Sequence, residues 1–342
     1  MKIAIHKSNG SFSGDWATYC NKHEIDWIPV NCYDSNIMQQ LATCDILMWH
    51  FHHANPKDTL FAKQLLYSAD MAGLKVHPNF QTCWHFDDKI GQKYLLEGIG
   101  APLVPTYVFY SKQEALNWVA ETTFPKVFKL RGGAGSSHVK LARTQSDAEK
   151  LISIAFGKGF RQYSPVSNLK ERVRLYANGK TDLMNVLKGL ARLIYTTEFD
   201  RVAGREKGYA YFQDFIPDND SDIRVIVVDG KAFAIKRYTR ENDFRASGSG
   251  SIGYKKELFP EETVKLTLDL AETLKMQVLA ADFVFDKGTP KIVEISSGYT
   301  KKVYEPCEGY WDREMNWHAG PFNPQHWMVE SIIQQIQDGK PQ

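Results

Sequence analysis

The chain has 342 residues, 43% of them hydrophobic and 13% aromatic, with 42 Lys and Arg against 40 Asp and Glu for a net charge of +2. That is enough apolar material for two or three sizeable cores, which excludes a disordered or fibrous protein. Balanced charge makes nucleic acid an unexpected partner.

The opening MKIAIHKSNG reads as a strand and turn rather than a charged, apolar leader, and no apolar run approaches a membrane span. Five cysteines, at 20, 32, 44, 83 and 307, include no CxxC pair and leave an odd one, which suits reduced thiols in a cytoplasmic protein. There is no internal repeat or low-complexity tract.

Residues 1–85 alternate short apolar runs (Ile3 to Ile5, Trp27 to Val30, Ile46 to Trp49, Leu74 to Val76) with helical stretches around Gly14 to His23 and Asp58 to Ala72. Such alternation predicts a small parallel α/β layer. Trp49, His50, Phe51, His52 and His53 end its third strand, where α/β folds place ligands. The cluster reads as a zinc site, a substrate-facing loop or a plain surface turn. A helix follows over Asp87 to Gly98.

Phe124 to Leu141, FPKVFKLRGGAGSSHVKL, reads as a strand ending in Lys129, a glycine and serine loop, and a second strand from His138. Gly132, Gly133 and Gly135 permit positive φ, and successive backbone N–H groups in such a turn form an anion-binding concavity, with Lys129 as a mobile positive charge. A glycine-rich hairpin tip without a ligand has the same sequence. The familiar GxxxxGK[ST] and GxGxxG fingerprints do not fit, since a strand follows the loop.

Segment 158–207 holds eleven Lys or Arg against five Asp or Glu, among them Lys170, Arg172, Arg174, Lys180, Lys188, Arg192, Arg201 and Arg205. It reads as a solvated basic surface or as a site for an anionic acceptor, with a helix across Leu169 to Leu193. YFQDFI at Tyr211 to Ile216 then leads to DIRVIVVDGKAFAIKR, a hairpin around Asp229 and Gly230. A helix is expected over Glu261 to Lys275, and a terminal helix from Asn323 and Pro324.

Between these helices, Ala280 to Phe285 and Lys291 to Ile295 flank the turn 286–290. A register centred on Gly288 sets Asp282 opposite Glu294, with Cβ atoms roughly 4.5 to 5.5 Å apart. Ser296 lies two residues beyond, on the same face. Two carboxylates and a hydroxyl suit Mg²⁺, which takes one or two carboxylates plus substrate phosphates; strand-end acids facing solvent would show the same pattern. Tyr304 to Trp327, with Trp311, Trp317 and His318, either cradles a sugar or packs loops onto a core.

Taken singly, Lys89, Asp214, Asp222 and Arg224 read as ordinary solvated or turn residues. Their order is more specific. A lysine before a glycine loop, then QDFI, DIR with a trailing arginine, and an Asp and Glu pair resembles the ATP-grasp superfamily over roughly residues 80 to 300, in particular the ribosomal-protein glutamate ligases and glutathione synthetase-like carboxylate-amine ligases.

The resemblance implies an α/β fold: an N-terminal small parallel α/β domain (1–85), a small ATP-grasp lobe with a basic helical insertion (86–207), and a large lobe carrying the metal site and C-terminal helix (208–342). ATP would lie on Lys89, Lys129, Gly132, Gly133, Gly135, Ser136 and Asp222, with Asp214, Phe215 and Ile216 at the adenine. Arg224, Arg237 and Arg245 would face the reacting groups, and Asp282, Glu294 and Ser296 would hold Mg²⁺. Two departures stand out: the family's EIN is EIS here, at Ser296, and FRSN is Phe244, Arg245, Ala246, Ser247.

The implied activity is an ADP-forming ligase that joins a carboxylate to an amine through an acyl phosphate. The pattern EISSGY, YEPCEGYW and NWHAGPFNP resembles ATP-grasp proteins of surface-polysaccharide synthesis, which implies a uronic acid of a glycan as acceptor and an amino acid as amine. A kinase on the same fold, and a nucleotide-binding regulatory protein without catalysis, are the alternatives.

Overall fold

The computed structural model describes residues 1–338 apart from 54, 134–137, 162–168, 170–171, 174–175, 178, 180, 195–200, 203 and 241–242. Its first layer is built from β1 (Lys2–His6), α1 (Ser13–Lys22), β2 (Asp26–Val30), α2 (Ile37–Leu41), β3 (Ile46–Met48), α3 (Pro56–Met71) and β4 (Lys75–His77). The strands are parallel in the order β2-β1-β3-β4, as the alternation predicts. The five-residue α2 is too short for its periodicity to show in the sequence. Side chains alternate across the sheet: Ile3 and Ile5 enter one core, while Ala4 enters the other with Leu66 and Ala69 of α3.

The chain continues through α4 (Phe80–Cys83), α5 (Lys89–Gly98), β5 (Thr106–Phe109), α6 (Lys112–Glu121), β6 (Lys126–Lys129), β7 (Lys140–Ala142), α7 (Gln145–Phe156), β8 (Phe160–Arg161), α8 (Leu183–Ile194), β9 (Arg205–Glu206) and β10 (Ala210–Asp214). A second sheet, antiparallel, runs β5-β10-β6-β7. It therefore takes strands from both sides of residue 207. Phe128 and Phe212 pack on one face against Ala115, Val119, Ile152 and Ala155 of the helices. Period-two alternation turns Val127, Lys129 and Gln213 to the other. Of the helix expected across Leu169 to Leu193, the structure describes α8; Lys170, Arg174 and Lys180 lie outside the described residues.

The third sheet comprises β11 (Ser221–Val228), β12 (Lys231–Tyr238), β13 (Ile252–Gly253), β14 (Val278–Asp286), β15 (Thr289–Ser296), β16 (Gly309–Trp311) and β17 (Trp317–Ala319), with α9 (Glu261–Thr273), α10 (Lys301–Tyr304) and α11 (Pro324–Asp338). Its order is β15-β14-β11-β12-β16-β17, with β13 also on β12. One face packs on α9 through Val225, Val227, Leu279 and Ala281. The other shares a core with the first sheet and α11, through Ile226, Val228, Trp327 and Met328. Gln277 fastens the two: its Oε1 accepts from Asn79 N at 2.7 Å and its Nε2 donates to Val76 O at 3.1 Å.

The β14–β15 hairpin closes more tightly than the 286–290 turn expected from sequence. Only Lys287 and Gly288 stand outside the strands, with φ of 51° and 86°, as a two-residue primed turn requires. Phe283 then pairs with Ile292, but Asp282 pairs with Glu294, so Val293 is an extra residue in β15, a β-bulge. Of the C-terminal aromatics, Tyr304, Phe322 and Trp327 pack on Phe233 and Trp311 is buried, while Trp317 is half-buried and His318 exposed.

Candidate functional site

The face of the second sheet turned away from its helices and the β14–β15 end of the third enclose a cleft lined by Val127, Lys129, Gly132, Gly133, Gln213, Asp214, Phe215, Ile216, Asp222, Arg237, Arg245, Asp282 and Glu294. A second chamber opens beside it, towards the first sheet, lined by His50, His53, Arg224, Ser247, Ser296 and Tyr304 among others. The two share Lys89, Gly133, Arg237, Ala246, Ser247 and Glu294. The histidine cluster is thus a chamber-facing loop, and no group of three or more His, Cys, Asp or Glu among the described residues is arranged to hold a metal by itself.

Lys89 begins α5, whose Asp88 cap accepts from Ile90 and Gly91. Its Nζ donates to Gly133 O at 2.8 Å and lies 3.7 Å from Glu294. Gly133, at φ 103°, donates its N–H to Asp87 at 2.7 Å, so the glycine loop is tied down at both carbonyl and amide. Asp87 also lies 3.4 Å from His53. Gly135 and Ser136 lie outside the described residues.

Lys129 is buried and donates to Gln213 Oε1 at 2.6 Å. Burial pushes its pKa down to about 8, against the pull of Glu294. Gln213 also donates to Thr106 at 3.1 Å and to the carbonyl of the bulge residue Val293 at 3.2 Å. Sequence reasoning passed over this residue, although a lone amide inside the buried strand AYFQD was the available signal. Asp214, read from sequence as the adenine acceptor, points to the other face, where its carboxylate takes Lys126 at 2.5 Å. Phe215 and Ile216 do line the cleft.

Four charged residues interlock at the cleft floor. Arg224 Nη1 donates to both oxygens of Asp282, at 2.8 and 3.0 Å. Arg237 bridges two acids, reaching Asp282 at 2.9 Å and gripping Asp222 with two bonds of 2.6 and 2.7 Å. Strand register dictates this, since β11 pairs Arg224 with Asp282 and Asp222 with Arg237 across its two neighbours. Burial opposes ionisation of Asp282, but the two guanidiniums outweigh it and hold its pKa below the ordinary carboxylate value. Arg245 is held by Asp243 at 2.7 Å.

Asp282 and Glu294 supply oxygen donors suited to a hard cation. The guanidiniums occupy about three of the roughly four acceptor positions of Asp282. Glu294, with a third of its side chain exposed, is the more open ligand. Ser296 Oγ accepts from Gly298 N at 3.1 Å within its own turn. The charged residues lining the two chambers balance, with Lys89, Lys129, Arg224, Arg237 and Arg245 against Asp87, Asp214, Asp222, Asp282 and Glu294.

Residues 186–308 match the model of the RimK-like ATP-grasp domain. The fold is similar along nearly the whole chain to the D-alanine–D-alanine ligase of Bacillus anthracis complexed with ATP, at 12% identity over 99% of each chain and a TM-score of 0.58. The chain has the ATP-grasp fold. Its ATP-grasp fold is shared by the RimK domain protein ATP-grasp from Sphaerobacter thermophilus, at 12% identity, covering 98% of this chain and 100% of that one with a TM-score of 0.57. The ATP-grasp ligase PsnB, complexed with minimal precursor, Mg and ADP, is 10% identical over 98% of each chain, with a TM-score of 0.55. No curated protein matches the sequence significantly.

Proposed function

We propose that the protein is an ATP- and Mg²⁺-dependent ligase that joins a carboxylate to an amine through an acyl phosphate, with release of ADP and phosphate. The observation that carries this reading is the meeting of two chambers at Lys89, Arg237 and Glu294. A phosphate donor in the first would present its terminal phosphate to an acceptor in the second.

In this reading the cleft takes ATP, with adenine against the backbone of Asp214, Phe215 and Ile216 and the phosphates on Lys89, Lys129, Gly132, Gly133 and, outside the described residues, Gly135 and Ser136. Asp222 acts through Arg237, which it orients. Glu294 and Asp282 would hold Mg²⁺, which when bound neutralises charge on the transferring phosphoryl group. Arg224, Arg237 and Arg245 support the same charge, and Ser296 shapes the turn beside Glu294. Positioning and electrostatics suffice, so no side-chain nucleophile is required.

The second chamber, about 580 Å³, is far roomier than the first, about 140 Å³. Its walls carry imidazole and hydroxyl groups from His50, His53, Ser247, Ser249 and Thr300. These features favour a large hydroxylated acceptor, and a sugar-borne carboxylate such as a uronic acid of a glycan fits them, with an amino acid as the amine. The need for ATP puts the reaction in the cytoplasm, in keeping with five free cysteines.

The test is release of ADP and phosphate from MgATP across uronic acids, sugar nucleotides and amino acids, offered singly and in pairs. Phosphate released only with an acid and amine pair establishes the ligase. Phosphate retained on a single acceptor makes the protein a kinase and overturns the reading.

A further inference from the structure

No described residue of segment 158–207 lines either chamber. Helix α8 lies within it, and its apolar residues fall on one face at helical spacing: Leu183, Leu187 and Leu190, with Met184 beside them. An amphipathic helix ordinarily turns that face to its own protein. Here the polar side is turned inward.

Gly189 is buried, and a Cβ there would come within 2.8 Å of Arg172 Cδ and 3.1 Å of Leu169 Cδ1. Arg172 donates to the backbone and side-chain oxygens of Asn185 at 2.8 and 2.9 Å. On the opposite side Leu183, Met184, Leu187 and Leu190 are 54, 56, 49 and 45% exposed. Lys188 flanks them, also exposed.

We propose that the apolar face of α8 binds the surface of an anionic lipid bilayer, with the helix lying in the headgroup plane. An apolar face flanked by a lysine, within a segment rich in basic residues, is the chemistry of an interfacial helix. Eleven basic against five acidic residues in the segment supply attraction to anionic headgroups. At 12 residues the helix is far short of the ~20 needed to span. A second copy is the poorer occupant, because a helix face about 18 Å long and 10 Å wide falls well below the ~800 Å² per partner of a stable interface.

The experiment is co-sedimentation of the full chain with phosphatidylcholine vesicles, with and without phosphatidylglycerol, at low and high salt. Binding is expected with phosphatidylglycerol and about tenfold weaker without it or in high salt. Leu187→Glu with Leu190→Glu should remove binding while the far-UV spectrum and melting temperature hold, and Lys188→Glu should weaken it without touching the apolar face. The proposal is overturned if the wild-type protein stays in the supernatant, if the double variant sediments as well as wild type, or if neutral vesicles bind equally. A wild-type dimer that the double variant converts to monomer would assign the face to a second copy instead.

Discussion

Glu294 stands directly across from Asp282 because Val293 is inserted in β15 between the pairs Phe283–Ile292 and Asp282–Glu294. The bulge also offers the Val293 carbonyl to Gln213. A single irregularity thus sets the hairpin beside the second sheet at the point where the acids meet.

Replacing Glu294 by Ala should abolish turnover, by at least ~10³-fold, since in the proposed reaction it removes the more open of the two carboxylates that would hold Mg²⁺. Its side chain is partly exposed, so the melting temperature should stay within a few degrees of wild type. ADP release and a thermal melt on the same preparation check both halves, and an active, folded variant would remove Glu294 from the metal assignment.

Arg237→Met should destabilise the fold strongly, by about 3–5 kcal/mol, because Asp222 and Asp282 would each lose a guanidinium while buried. Urea denaturation measures this. Arg224→Met leaves Arg237 on both acids and should cost less.

Lys129 gives a pH signature. It stays charged to about pH 10.4 in the unfolded chain but only to about 8 when folded. Its burial therefore costs stability at neutral pH, a cost relieved as pH climbs from about 8 towards 10.4. Bound phosphates restore the charge, so nucleotide binding should take up ~0.1 proton at pH 7 and close to one near pH 9. Calorimetry in buffers of different ionisation enthalpy reads the uptake, and Lys129→Arg should abolish it because a guanidinium stays charged throughout.

Gln213→Leu should weaken nucleotide binding about tenfold or more, since it leaves the Lys129 ammonium without its acceptor and frees the Val293 carbonyl. Equilibrium binding of a non-hydrolysable ATP analogue checks this. Unchanged affinity would show that Gln213 supports the fold alone.

Much of this was legible in the sequence. A register centred on Gly288 placed Asp282 against Glu294, and the short apolar runs gave the parallel layer. Period-two alternation could have separated Gln213 from Asp214, which lie on opposite faces of one strand. What the sequence withheld was long-range. Arg224 lies 58 residues from Asp282, and nothing local indicates that β11 sits between β12 and β14, which brings both guanidiniums onto one buried carboxylate. The turn and bulge of the hairpin also compensate: a tighter turn with an extra strand residue yields the pairing that a wider turn alone would give.

His50 lines the second chamber with its ring stacked on Phe12 at 3.7 Å, and its Nδ1 accepts the Phe12 N–H at 3.2 Å. Burial takes its pKa down to about 3, so the ring is neutral at any physiological pH. With Nδ1 committed as an acceptor, the proton resides on Nε2, and the tautomer is fixed by the backbone. The ring accordingly keeps one uncharged N–H donor of constant polarity, whether the solution is mildly acid or mildly alkaline.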